Sequence, residues 1–467
     1  MLTDEQRASG SWLSAIGLRL SGWFEHWFPD AFALALVAVA VVFVGSLAMG
    51  NSPVQTAQWF GAGFWDLVVF TMQMAMIIIT GYAVAVSTPL YRVIRRMAEI
   101  PKDGKSAAAF VGLFSMLSSL ISWSFSLIFS ALLAREVTHR VRGADYRAIG
   151  AAAYLGLGSI WALGLSSSAA LIMAAPASLP VSIQRISGII PLGQTLGLWQ
   201  SFLMAAVLGA VSFAICYYSA PAVEQARSMA DMGVAYEPRL ADISKPERPG
   251  EWLEYSPLLT ILISACGIAY LVREVIDKGP AIILDLNHYV FLFLIAGLLL
   301  HWRPRSFMRA VSAGVPSVAG VLVQYPLYAG IVKIMTESGL AKELAEFFVR
   351  VSTSHTYPLL VGIYSAVLGL FIPSAGGKWL VEAPYLLDAA KSLHVHLGWV
   401  VQTYNATEAL ANLVHPFWML PLLGILGLKA RDIVGYSTLQ FVVHVPVVLF
   451  LVWILNYTLT YVPPVLP

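Results

Sequence analysis

Lys378 and Glu382 stand four residues apart, directly after Pro373, Ser374, Ala375, Gly376 and Gly377, in a stretch apolar enough to lie inside a bilayer. An ammonium at the bilayer centre costs roughly 2.5–3.5 kcal/mol on insertion scales, so it must face a partner or a cavity. Pro373 ends one helix, and the glycines let backbone approach a ligand closely. The helix that restarts here offers free N–H groups and the positive end of its dipole to an anion. Ser374, Ala375, Gly376 and Gly377 are therefore candidates to receive an anion, with Ser374 donating. A packing turn is the plain alternative. Lys378 either faces the anion, pairs with Glu382 at i,i+4, or snorkels to the interface.

Further polar groups interrupt other apolar stretches. The run "SSLISWSFS" (118–126) brings Ser122, Ser124 and Ser126, which can line a cavity or pack helices. "GLSSSAA" (164–170) carries Ser166, Ser167 and Ser168, and "YNATEALAN" (404–412) carries Asn405, Thr407, Glu408 and Asn412. If unwound, these two stretches offer carbonyl and side-chain oxygens to a sodium ion. Glu408 could serve as ion ligand, proton carrier or partner of Lys378. Gln73 and Gln324 sit mid-span and suit hydrogen bonds that orient the hairpins across an interface. Arg135 and Glu136 read as a local salt bridge. Cys216 and Cys266 both fall in apolar spans, and the histidines show no ligand spacing, so neither disulfide, metal nor other cofactor is expected.

The elements that must position these groups follow from composition. The 467 residues are 58% hydrophobic and 12% charged, against roughly 25% charged in soluble domains. A net charge of +2 gives no basic surface for nucleic acid. A polytopic all-α membrane protein is expected, with the lipid bilayer as its solvent. No cleavable signal peptide is visible. Trp12, Ile16, Leu20, Trp23 and Trp27 mark one helical face, so residues 10–28 read as an interfacial amphipathic helix.

Continuous spans are expected at 32–49, 64–88, 198–218, 257–272, 286–301, 310–335 and 433–455. Two spans, 148–176 and 398–427, carry polar residues in the middle, and 107–134 and 357–390 are broken near the centre. If the last two are re-entrant hairpins, there are about nine crossings, with a cytoplasmic N-terminus and an external C-terminus. The cytoplasmic segments then hold 20 of the 28 Lys and Arg, a positive-inside pattern. If both cross fully, 11 of these basic residues move outside. Polar backbone at a hairpin tip must be buried or line a watery cavity.

The elements form two matching series: span, span, hairpin, broken span, span. Ser115 and Tyr154 keep the spacing of Ser365 and Tyr404. One linking span makes the repeats inverted, as in secondary transporters. The expected organisation is an interfacial segment 1–31, repeat one at 32–218 with hairpin 107–134, a cytoplasmic linker 219–256, a linking span and loop 257–285, and repeat two at 286–467 with hairpin 357–390.

Seven motifs carry a resemblance: "GFWDLVVFTMQMAMIIITGYA" (63–83), "SALLAREVTHRV" (130–141), "GIAYL" (267–271), "FLIAGLLLH" (293–301), "LVQYPLYAGI" (322–331), "PSAGGKW" (373–379) and "HPFWMLPLLGILGLKARDIVGY" (415–436). On these the chain resembles the bacterial short-chain fatty acid transporters, the group that includes the acetoacetate and butyrate uptake permease, within a wider ion-transporter superfamily. The family motif at hairpin 2 more often reads Gly-Gly-Gly-His-Trp, so Lys378 takes a histidine position. The resemblance implies an ion-coupled secondary transporter, driven by Na+ or H+, that takes up a small carboxylate by alternating access in the bacterial inner membrane. A homodimer would supply a static scaffold. A carrier of another small organic anion, such as a di- or hydroxycarboxylate, fits the same elements. An intramembrane enzyme would need a nucleophile–base pair or metal cluster, which the sequence does not offer. A passive channel would have no need of the repeat.

Overall fold

The helix boundaries follow from breakers and caps. Ser52 caps a helix that opens on Pro53, Asp103 accepts from the N–H groups of Lys105 and Ser106, and Asp145 does the same for Arg147 and Ala148. Such side chains satisfy N–H groups that no helical carbonyl can reach. The computed structural model describes residues 12–27, 31–65, 68–174, 179, 181–236, 246–370 and 375–465. The described helices are α1 (Trp12–Trp27), α2 (Ala31–Ala48), α3 (Pro53–Gly63), α4 (Val68–Ala85), α5 (Thr88–Met97), α6 (Gly104–Ser119), α7 (Trp123–Arg140), α8 (Tyr146–Gly158), α9 (Ser168–Ala174), α10 (Val181–Ser187) and α11 (Trp199–Ser219). After these come α12 (Trp252–Tyr255), α13 (Leu258–Lys278), α14 (Leu286–His301), α15 (Pro304–Gly314), α16 (Ala319–Glu337), α17 (Leu340–Arg350), α18 (Tyr357–Gly369), α19 (Ala375–Ser392), α20 (Leu397–Val414), α21 (Pro416–Leu426) and α22 (Ala430–Asn456). No strand occurs among the described residues.

Among the described residues, four helical stretches, 146–174, 199–219, 249–278 and 430–456, are long and apolar enough to cross a membrane, or up to seven if each of three bent helix pairs is one span. The helices sort into two groups by contact. α2, α3 and α4 pack with α14, α15 and α16, and α13 lies against α14. The other group gathers α6 to α9, α11 and α18 to α22. At its centre, every residue of α8 is buried, and so is all of α20 except its last residue, Val414. α4 and α16 touch this second group through α7 and α21.

Two helix pairs fold back on themselves. In α6–α7, Ser126 Oγ donates to the Ser115 carbonyl at 2.6 Å, and Phe114 meets Phe129 at 5.1 Å. Ser122 ends the turn by capping α7 at Phe125 N. In α18–α19, Tyr357 Oη donates to the Leu386 carbonyl at 2.6 Å, and Ser365 Oγ donates to Glu382 at 2.6 Å.

Two expectations need correction, and a third element gains a packing partner. Residues 404–412 are not unwound: α20 runs through them, and the break comes at His415, extended at φ −89° and ψ 117°. The cause is Pro416, which disfavours helical backbone in the residue before it. Arg135 does not pair with Glu136. Neighbours on a helix diverge, so Glu136 takes Arg140 one turn on, while Arg135 donates to the carbonyls of Ile425 and Ala235. Finally, α1 packs along α22 and α11, with Ser14 and Gly17 turned inward. A Cβ on Gly17 would lie 3.2 Å from the Tyr436 ring. The tryptophan stripe of α1 still faces outward: Trp12, Trp23 and Trp27 are exposed.

Candidate functional site

The breaks converge. The α8–α9 span stops at Gly158, makes one turn of 3-10 helix at Trp161–Leu163 and restarts at Ser168. Its loop lies against the tip of the α6–α7 hairpin. Ser166 Oγ accepts from Trp123 N at 2.9 Å and donates to the Ser119 carbonyl at 2.5 Å. A Cβ at Gly164 would lie 2.4 Å from the Leu120 carbonyl oxygen, so only glycine permits this approach. The other end of the loop meets the second hairpin: a Cβ on Gly376 would lie 3.4 Å from Ser168 Cβ. Ser167 Oγ donates to Asn405 Oδ1 at 2.9 Å. The break in span one is thus wedged between both hairpin tips and α20.

The break in span two sits beside the same tips. His415 Nε2 meets the Leu370 carbonyl at 3.1 Å, and Trp418 packs edge-on against Trp123 at 5.8 Å. Tyr404 Oη donates to the carbonyl of Ala375, the first residue of α19, at 2.5 Å.

Beneath the second tip lies a cluster of charges. The side chains of Lys378, Glu382 and Glu408 are 0%, 0% and 1% exposed. Lys378 Nζ contacts Glu408 Oε2, stands 3.8 Å from Glu382 Oε1 and donates to the Ser365 carbonyl at 2.7 Å. It also lies 4.7 Å from the centre of the Tyr404 ring, within cation–π range. Gly369 closes the cluster from above: a Cβ there would stand 3.3 Å from Lys378 Nζ and 3.4 Å from Glu408 Oε2. Lys378 therefore pairs internally in this conformation, with Glu408 as its nearest partner.

The remaining candidates divide. Ser126 holds hairpin one closed, and Ser122 caps its second arm. Thr407 Oγ1 donates to the Thr403 carbonyl within α20. Asn412 Nδ2 donates to the Leu157 carbonyl while Tyr154 Oη donates to the Asn412 carbonyl, which ties α8 to α20. Asn405 Nδ2 donates to Gln402, whose Nε2 donates to Ser201 Oγ on α11. Gln73 Nε2 donates to Asn287 Oδ1 of α14 at 2.7 Å and so lies away from the hairpins, and Gln324 Oε1 has no hydrogen-bond partner among the described residues. Ser374 lies outside the described residues, and Ser124 and Gly377 are described as backbone alone. Among the described residues no group of His, Cys, Asp and Glu is placed to hold a metal.

Sequence reasoning missed three contributors: Ser365, Tyr404 and His415. The first two did carry a signal, since they share their spacing with Ser115 and Tyr154. A second polar knot sits at the far end of α7, where Tyr91, Arg140 and Tyr236 all donate to Glu136, and His139 stacks on Tyr236 at 3.6 Å. Burial, and then the Glu136 carboxylate, push the Tyr91 phenol above its ordinary range. This knot fastens residue 236 of the linker to the hairpin.

The profile of the short chain fatty acid transporter family matches residues 12–455. A protein of Escherichia coli named for short-chain fatty acid transport is 36% identical over 422 residues, covering 88% of this chain and 93% of that one. One of Haemophilus influenzae, named likewise, is 32% identical over 442 residues, covering 93% and 98%. Among solved structures, the Alcanivorax borkumensis YdaH transporter is similar at 15% identity and a TM-score of 0.45, covering 93% of this chain and 100% of that one. Neisseria gonorrhoeae MtrF, titled among antimetabolite efflux pumps, gives 12% and 0.37, covering 93% and 97%.

Proposed function

The chain belongs to the short-chain fatty acid transporter family, and on that premise we propose that it takes up short-chain monocarboxylates such as acetoacetate and butyrate. It is a membrane transporter and not an enzyme. The observation that carries the substrate site is the meeting of the first hairpin's turn and the start of α19 at the break 164–168. Broken helices at one place in a membrane protein expose helix ends, and those ends bind small ions. The first turn of α19, at Ala375, Gly376 and Gly377, has N–H groups with no helical acceptor. That turn receives the substrate carboxylate, with Ser168 beside it.

Transport proceeds by alternating access, coupled to an ion, in the bacterial inner membrane. The two inverted repeats supply the two hairpins. The α2–α4 and α13–α16 group is the static scaffold, which a homodimer would brace, and the hairpin group moves against it as an elevator. The contact pattern supports this division, since the hairpins and broken spans pack chiefly on one another.

The test is counterflow in proteoliposomes. Preloaded unlabelled acetoacetate should speed entry of labelled butyrate, with pH clamped equal on both sides so that a gradient left by escaping acid cannot drive it. No stimulation by either acid would overturn the reading. A panel of di- and hydroxycarboxylates as internal ligands identifies a different organic anion if one stimulates more strongly.

A further inference from the structure

We propose that Lys378, Glu382 and Glu408 form the coupling-ion site and that the ion is a proton, taken up when a carboxylate anion binds. This rests on the reading that the substrate is a carboxylate, and it commits to an ion that the family premise leaves open.

Charge counting carries the first step. One ammonium faces two carboxyl groups, all three buried. An uncompensated buried charge costs several kcal/mol. The cluster is neutral when it holds one extra proton among the two carboxyls. The geometry also leaves room for that proton. Glu382 Oε1 and Glu408 Oε1 are buried with no hydrogen-bond partner among the described residues. Such orphaned acceptors are rare in folded proteins and call for an explanation. A sodium ion does not suit the place, because the Lys378 ammonium already fills it and would repel a second cation. The oxygens expected to hold sodium are engaged elsewhere: Ser166 with hairpin one, Ser167 with Asn405, Thr407 with Thr403.

Proximity carries the second step. Lys378 lies in the first turn of α19, the same turn whose N–H groups face the carboxylate. Tyr404 spans both places, with its ring beside Lys378 Nζ and its hydroxyl on the Ala375 carbonyl. Other titratable groups on these and the packed helices include Tyr385 of α19, Tyr357 and Tyr364 of α18, Tyr154 of α8, His415, and His444 of α22, the last held by Ser212 Oγ and the Gln440 carbonyl. Tyr357, Tyr154 and His415 are held by backbone carbonyls. The charged side chains on the helices at the far end of α19, Arg185 of α10 and Lys342, Glu343 and Arg350 of α17, lie at the exterior. Glu346 of α17 pairs with Lys342 and Arg350, and Asp388 and Lys391 sit at the outer end of α19 itself.

The exchange balances. An arriving anion takes the ammonium from Glu408. Glu408, left without its cation, takes one proton from water. Lys378 is then paired with the substrate, both carboxyls are protonated, and the loaded site is as neutral as the empty one. On release, Glu408 returns its proton to water and Lys378 returns to Glu408. One proton accompanies each anion, and no net charge crosses.

Proton linkage in detergent tests this without interference from acid diffusing through lipid. Butyrate binding to the purified protein is measured calorimetrically, at one pH in the neutral range, in buffers of different ionisation enthalpy. The expected result is uptake of roughly one proton per butyrate, equal in sodium and choline salts. The triple variant Lys378→Met, Glu382→Gln, Glu408→Gln leaves no titratable group in the cluster and should bind with no buffer dependence. The wild-type result decides even if that variant does not fold. Binding without proton uptake, or binding that requires sodium, overturns the proton site and leaves the carboxylate reading standing. Uptake unchanged in the triple variant overturns it also, whereas Glu408→Gln or Glu382→Gln alone should keep it, the remaining carboxyl taking the proton. Absence of binding by butyrate and acetoacetate alike overturns the carboxylate reading itself, and this proposal with it.

Discussion

In hairpin one, the arms meet through Ser126 on the Ser115 carbonyl and Phe114 on Phe129. In hairpin two, the arms meet through Ser365 on Glu382 and Lys378 on the Ser365 carbonyl. With Ser115 aligned to Ser365 and Tyr154 to Tyr404, Ile128 and Leu132 stand where the second series has Lys378 and Glu382, and Gly158 stands where it has Glu408. Ile128 and Leu132 are buried. A Cβ at Gly158 would lie 2.6 Å from Leu413 Cδ2, so no carboxylate fits there. Apolar packing and hydroxyls are therefore enough to close a hairpin of this length. Buried ion pairs are at best neutral for stability compared with apolar residues of similar volume. The charges of hairpin two are thus explained by what that hairpin does rather than by how it holds together.

The comparison can be broken first by sidedness. After replacing Cys216 and the exposed Cys266, Arg142→Cys should label with an impermeant maleimide only from the cytoplasmic face, and Ser392→Cys only from outside. Labelling of both from one side would end the inverted reading. Next in size is the charge cluster. Lys378→Met should lower stability by about 3–5 kcal/mol, since it strands the buried Glu408 carboxylate. Adding Glu382→Gln and Glu408→Gln should recover most of that loss, as seen in thermal melts in detergent. A single variant as stable as the wild type would mean that no ionised carboxylate is buried beside Lys378.

Smaller effects are expected in hairpin one. A Cβ at Gly156 would lie 2.2 Å from Ser126 Oγ and 2.7 Å from Ser115 Oγ. Gly156→Ala should therefore cost about 1–3 kcal/mol of overpacking in the same melts. Ser126→Ala removes one hydrogen bond and should cost only about 0.5–1.5 kcal/mol. If Ser126→Ala proved as damaging as Lys378→Met, the contrast between a packed and a charged hairpin would fail.

Local chemistry was readable where it depended on neighbours along the chain. The turn at Leu120–Ser122 falls inside the expected hairpin 107–134, and α19 starts at Ala375, within the Pro-Ser-Ala-Gly-Gly stretch. Ser52, Asp103, Asp145 and Asp285 cap helices as their types suggest. The misplaced break in span two came from weighing polar content above backbone chemistry. Asn405, Thr407 and Glu408 do not unwind a helix in which Ala406, Ala409, Leu410 and Ala411 stand among them, whereas Pro416 does end it.

The sequence by itself determined that the chain is apolar, helical and interrupted at four places, because hydrophobicity, breakers and caps act over a few residues. It also offered Glu382 as a partner for Lys378, since both lie on one helical face. Tertiary structure alone decided that Glu408 reaches Lys378 first. That contact joins α19 to α20 across a turn whose path no periodicity encodes. It also decided that Ser166 and Gly164 serve hairpin one while Ser168 serves hairpin two. Which groups meet at a buried break depends on how helices pack, and packing is a property of surfaces brought together from distant parts of the chain.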